Sequence, residues 1–263
     1  MIFLRGYFIS MSQPEILRHD IPDILSAALI PGRKRPINGN RGGIHCADAL
    51  LISRAVPVLA VADAPERNPD AASSFLNKFA DALAASRIRL AVNPVDASFA
   101  AVVDLVTTLM KTIDYHDSTT FSALIPIREG TALRGIVLHT GDSLILRIER
   151  PAGTVTQLSR TSHVLVGRAP ALFQTEIIGF APDDLIVLAS DGITDLARTR
   201  GIVPAALLSA RDSAHTPGMV VSHIVDSAAE ASVRLDDITI VCAAPGPLSL
   251  PIDGPDGARL ILT

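Results

Sequence analysis

DDLIVLASDGITDL, residues 183–196, sets a continuous apolar run, Leu185 to Ala189, against an abrupt Ser190-Asp191-Gly192. A run so short and so uniformly apolar suits a strand buried on both faces. The Asp-Gly step marks the chain leaving that strand in a tight turn. A carboxylate there admits two readings. It caps the turn, which is ordinary Asp chemistry, or a rigid strand holds it in place for a function.

Other strand ends bear on the choice. Asp48 precedes the apolar run ALLIS, Asp63 ends VPVLAVA, and Asp236 precedes ITIVCAA. Each of these acids alone is as much a cap or turn former as a ligand. Together with Asp191 they share one description, a carboxylate at the edge of an apolar strand, and neighbouring strand ends would bring them together. Converging carboxylates repel unless they are protonated or neutralised by a cation. An all-oxygen set suits hard divalent ions such as Mg2+ or Mn2+.

Around these acids the chain reads as strands, two helices, many strands, one helix and a strand. The first helix starts at Asp70, with Phe75, Leu76, Phe79 and Leu83 on one face. The second has Asn93 as cap, Pro94 in the first turn and an apolar stripe through Val102, Val106 and Met110. From Thr119 to Asp191, short apolar segments separated by Gly, Pro and Asp suggest a largely antiparallel meander. A third helix is capped by Thr216 ahead of Pro217, and the Pro/Gly-rich tail from Ala244 ends in a short strand, ARLILT. Without strand–helix alternation at every step, a layered α+β sandwich is favoured over a doubly wound sheet. Residues 1–40, rich in Pro, Arg and Gly, read as an N-terminal extension and loop, with one domain over residues 41–263.

The chain has 263 residues, of which 48% are apolar and 19% charged, enough for a sizeable core. A net charge of −4 argues against nucleic-acid binding and against an anionic membrane surface, since both need a basic face. Cys46 and Cys242 stand far apart without a CxxC or Cys/His cluster, which argues against a disulfide framework or zinc site and suits a reducing cytoplasm. The apolar start MIFLRGYFIS is too short to span a bilayer and lacks the pattern of a secretory signal.

Six segments, in order, resemble the metal-dependent PPM, or PP2C-like, serine/threonine phosphatases of bacterial type. CADALLI is similar to that family's early acidic strand, VLAVADAP to its strand ending in Asp-Gly, and DSTTFSAL to its Thr-Thr strand. VLHTGDSLILRI resembles the Gly-Asp-Ser hairpin, DDLIVLASDGITD the Ser-Asp-Gly segment, and LDDITIVCA the closing acidic strand. The resemblance spans residues 40–243. It implies an αββα sandwich of two antiparallel sheets flanked by helices, with a binuclear Mn2+/Mg2+ site at one end. On the matching positions Asp63 would bridge both ions, Asp191 and Asp236 would ligate one, and the backbone carbonyl of Ala64 the other. Asp48 would support the site through water. The implied reaction is in-line attack of metal-activated water on phosphoserine or phosphothreonine of a protein substrate, opposing a partner Ser/Thr kinase.

The match has departures. The family's Asp-Gly-x-Gly-Gly is Asp63-Ala64-Pro65-Glu66-Arg67 here, and a left-handed turn at Ala64 would cost about 1 kcal/mol. The Glu that often precedes the early Asp is Ala47. Gly43 falls where a phosphate-clamping Arg is expected, leaving Arg41 or Arg67 to substitute only through a shifted loop, Arg41 being the candidate phosphate ligand unless it belongs to a solvated turn. Asp142, in the hairpin, reads as a turn former and His139 as a packed core histidine. Asp237 is auxiliary to a possible third ion, because its place beside Asp236 puts it on the opposite strand face. These departures keep a second reading open: a pseudophosphatase that retains the fold as a binding or regulatory module.

Overall fold

A computed structural model describes residues 2–4, 7–8, 16–32, 44–54, 56–65, 68, 70–86, 94–150, 152–168, 173–209, 216–231, 236–250 and 260–262. One sheet has the order β1 (Ile2–Leu4), β15 (Leu260–Leu262), β6 (Asp48–Ser53), β7 (Val58–Asp63), β8 (Phe121–Glu129), β9 (Ala132–Thr140), β12 (Gln174–Phe180). The second runs β11 (Thr154–Gln157), β10 (Leu144–Glu149), β13 (Leu185–Ala189), β14 (Ile238–Ala243), β4 (Leu25–Ile30), β3 (Leu17–Ile21). Apart from the parallel β1–β15 pair, neighbours in both sheets are antiparallel. A separate short ribbon pairs β2 (Tyr7–Phe8) with β5 (Ile44–His45).

Period-two alternation sorts each central strand between two apolar layers. On β6, Leu50 and Ile52 enter the layer between the sheets, while Ala49 and Leu51 face outward under α1 (Asp70–Ala85) and α2 (Val95–Met110). On β13, Ile186 and Leu188 point between the sheets, and Leu185, Val187 and Ala189 pack beneath α3 (Gly192–Thr199), α4 (Pro204–Ser209) and α5 (Pro217–Glu230). Burial on both faces is why LIVLA carries no polar residue. The result is the expected four-layer αββα sandwich. Phe121 anchors α1 to β8 by receiving Phe75 and Phe79 edge-to-face, each with ring centroids 5.0 Å away.

Several expectations need correction. Residues 17–30 are not part of a loop: they form the β3–β4 hairpin, and β4 is buried along its whole length between β3 and β14. The acceptor and donor edges of β14 need a partner, and an all-small-or-aliphatic strand, Leu25-Ser26-Ala27-Ala28-Leu29-Ile30, fits between two apolar layers. Pro94 sits at the N-cap of α2 rather than in its first turn, and Asn93 lies outside the described residues. The helices α3 and α4 were not expected, nor was α6 (Pro245–Leu248) in the tail. The α5 cap is as expected, with Thr216 Oγ1 accepting from Met219 N–H. Among the described residues no helix is long and apolar enough to cross a membrane.

Candidate metal centre

The acids stand at one end of the sandwich. Asp48 and Asp63 face each other directly across the β6–β7 ladder, on the faces that turn toward the second sheet. Thr120 fixes the backbone of Asp63 from β8's entry. Asp63 N–H donates to Thr120 Oγ1 (2.9 Å), while Asp63 carbonyl accepts from Thr120 N–H and Thr119 Oγ1, both at 2.8 Å. Thr120 Oγ1 in turn shares a 2.8 Å hydrogen bond with the buried Ser143 Oγ of the β9–β10 turn.

From the other sheet, Asp191 leaves β13 as the N-cap residue of α3, yet its side chain makes no capping hydrogen bond. The bland role is therefore not the one it performs. Its carboxyl lies beside that of Asp63, with Asp142 and Asp236 near enough for their charges to act on it. Gly192 makes this approach possible. A Cβ there would collide with the carbonyl oxygen of Asp237, at which Ser190 Oγ also donates (3.3 Å). Gly192→Ala should therefore destabilise the fold by at least about 2 kcal/mol, since the obstacle is backbone and cannot rotate away. Thermal unfolding would check this, with Gly179→Ala, where an added Cβ meets nothing, as the comparison.

Asp142 calls for a correction. It occupies the hairpin turn as expected, but Gly141, at φ +103° and closely packed against Thr120, aims that turn at the acidic centre, where the Asp142 charge reaches Asp63 and Asp191. His139 is the packed histidine expected, with Nδ1 hydrogen-bonded to Ser122 Oγ at 2.8 Å. Ala64, for its part, carries no left-handed strain: among the described residues Asp23 is the one non-glycine with positive φ. The cost expected from losing the family's glycine is absent. The Pro65 carbonyl accepts from Asn68 N–H (2.8 Å), and the Asn68 amide bonds His116 carbonyl and Asp117, which ties this turn to the segment ahead of β8. Arg41, Glu66 and Arg67 lie outside the described residues.

Burial and mutual repulsion shape the charge state of the cluster. Burial, then the charge of Asp191, pushes Asp63 up to about 8. Burial, then the charges of Asp142 and Asp236, raises Asp191 to about 6. Asp48 is raised well above the carboxylate range by burial and by Asp63 and Asp237. Its Oδ2 is buried without a hydrogen-bond partner among the described residues. An orphaned carboxylate oxygen within an all-oxygen, like-charged set is the donor chemistry of a hard divalent cation. Among the described residues no group of three or more His, Cys, Asp or Glu side chains is placed to hold a metal ion. The donor set itself, carboxylate oxygens only, is of the kind that suits a hard cation.

Comparisons agree with this architecture. The family model described as stage II sporulation protein E (SpoIIE) matches residues 73–245. No curated protein matches the chain in sequence. Among solved structures, the PPM Ser-Thr phosphatase MsPP from Mycobacterium smegmatis, in complex with cacodylate, superposes with a TM-score of 0.58 at 19% identity, covering 83% of this chain and 97% of that one. RsbX in complex with magnesium gives 0.58 at 12% identity, covering 87% and 98%. PppA, described as a key regulatory component of T6SS in Pseudomonas aeruginosa, gives 0.60 at 17% identity, covering 84% and 96%.

Proposed function

Because this chain belongs to the stage II sporulation protein E family, with the fold of PPM, or PP2C-like, phosphatases, we propose that it is a metal-dependent phosphoprotein phosphatase acting on phosphoserine and phosphothreonine. One observation carries the reading. Burial and mutual repulsion raise the carboxyls of Asp48, Asp63 and Asp191, the charges of Asp142 and Asp236 act on the same cluster, and Asp48 keeps an orphaned buried oxygen. A fold that retains such repulsion is organised for a cation.

In this reading Asp63 would serve both Mn2+ or Mg2+ ions, Asp191 and Asp236 would hold one, the Ala64 carbonyl would hold the other, and Asp48 would orient water beside them. Bound there, the ions supply an activated water and neutralise charge on the phosphoryl oxygens. The chain's own contribution is placement. Thr119 and Thr120 lock the Asp63 backbone, the buried β13 fixes where Asp191 begins, and the Ser190–Thr239 hydrogen bonds hold β13 and β14 in register at the site, with Thr239 N–H donating to Ser190 Oγ at 2.9 Å. Arg41 is assigned the substrate phosphate, and a Ser/Thr kinase the opposing reaction. The alternative, a catalytically silent binding module, draws on the absence of a preformed ligand trio among the described residues. Hydrolysis of a phosphothreonine peptide decides between them: release of phosphate that depends on Mn2+ is expected. A protein saturated with Mn2+ that releases none from phosphoserine or phosphothreonine peptides would favour the silent module.

A further inference from the structure

Asp237 is buried, 6% exposed, directly after the proposed ligand Asp236, and none of the roles above uses its side chain. Its carboxylate accepts two backbone hydrogen bonds from chain segments far away in sequence: Oδ1 from Gly32 N–H at 2.6 Å and Oδ2 from Ala47 N–H at 3.0 Å. Gly32 lies just beyond the end of β4, and Ala47 just before Asp48. The carbonyl of Ala47 then accepts from Ala64 N–H at 3.2 Å. A continuous path therefore runs from β14 in one sheet, through Asp237 and the Ala47 peptide units, to Ala64 in the other. The backbone of Asp237 meets the Asp191 turn as well, through the Ser190 hydroxyl and the close approach of Gly192.

We propose that Asp237 is a positioning residue that sets the distance between the two halves of the metal centre, Asp191 and Asp236 on one sheet and Asp48, Asp63 and the Ala64 carbonyl on the other. The proposal rests on the phosphatase reading for what is positioned. The physical reason is specific to this sequence. In place of a glycine-rich turn after Asp63 it has Ala64-Pro65, so the Ala64 carbonyl is aimed by what holds the Ala64 amide. That holder is Ala47, whose own N–H is held by Asp237. Only a carboxylate supplies an acceptor to Gly32 and to Ala47 at once. An amide keeps one acceptor and presents N–H to the other donor. Asp237 thus keeps the face opposite Asp236 that the sequence suggested but has a role other than the auxiliary one: its carboxylate clamps Gly32 and Ala47.

The test compares Asp237→Asn with Asp184→Asn. Asp184 is also buried and accepts a backbone bond, from Ala181 N–H at 2.9 Å, but it stands before β13 at the end away from Asp191. Both variants should lower the melting temperature. Only Asp237→Asn should weaken Mn2+ binding in calorimetry, by roughly 10–100-fold, as loss of partners that orient ligands does. It should also accelerate hydrogen exchange of the Ala47 and Ala64 amides in the metal-free protein. If Asp237→Asn fails to fold, Asp237→Glu, which keeps the charge and lengthens the arm, is read in the same way. Unchanged Mn2+ affinity in a folded Asp237 variant, or an equal loss in Asp184→Asn, overturns the proposal. Should wild-type protein itself take up no Mn2+, the phosphatase reading falls. Amide exchange then decides the relay alone, and unaltered protection at Ala47 and Ala64 sinks it.

Discussion

Asp63→Asn is expected to make the metal-free protein more stable and to remove its response to Mn2+, two opposite effects from one substitution. In the wild type, burial and the neighbouring Asp191 charge raise Asp63 to about 8, whereas the unfolded chain titrates near the ordinary value of about 4. Between those two values the folded state keeps a proton that the unfolded state has released. Stability of the metal-free protein therefore falls as pH rises through that window, by at most about 1.4 kcal/mol per pH unit for one proton. Asn has no proton to lose, so melting temperature against pH should flatten in the variant. Saturating Mn2+ should flatten it in the wild type, where a bound cation also raises the melting temperature with concentration. Asp142→Asn, which removes a charge farther along the cluster, should weaken Mn2+ uptake less. An Asp63→Asn protein that binds Mn2+ as tightly as wild type would end the assignment of Asp63.

The second large effect concerns Asp191 and Asp236 together. Replacing either by Asn should cut Mn2+-dependent peptide hydrolysis by on the order of 100-fold or more, because metal activation contributes several kcal/mol and each ~1.4 kcal/mol is tenfold. The double variant should be little worse than either single one, since groups that hold the same ion act as a unit. Steady-state turnover at saturating Mn2+ would show this. Fully multiplicative losses would mean that the two carboxylates serve separate tasks. The structure gives a reason to expect coupling: Gly192 sets the Asp191 turn against the Asp237 carbonyl, one residue after Asp236.

Much of this is legible in the sequence. The two long helices, the α5 cap at Thr216 and the meander followed from apolar periodicity and from Pro and Gly punctuation, because each is a local response to burial on one face or two. Helix α3 escaped for a physical reason. Its eight residues follow an Asp-Gly read as a turn, and they hold their helix through Ile193, Leu196 and Ala197 buried against the second sheet rather than through a visible N-cap bond. β4 is not legible locally: a basic, Pro-rich stretch follows it, and its strand character depends on β14 needing a neighbour.

The same division runs through the site. The sequence by itself determined that Asp48, Asp63, Asp191 and Asp236 stand at strand ends and that a hard cation would suit them, since strand length and residue type are written locally. Whether they converge was decided only by the tertiary structure, through register across β6–β7 and through the approach that Gly192 allows. Tertiary structure alone gave Asp142, still in its turn, a charge that reaches Asp63 and Asp191, through the left-handed Gly141 packed on Thr120. It likewise freed Ala64 of its expected strain and made Asp237 a clamp. A carboxylate's role depends on which distant N–H groups and charges surround it, and pairs such as Asp237 with Gly32 and Ala47 lie about two hundred residues apart in the chain. No local pattern encodes that distance, because the interaction exists only once both sheets have packed.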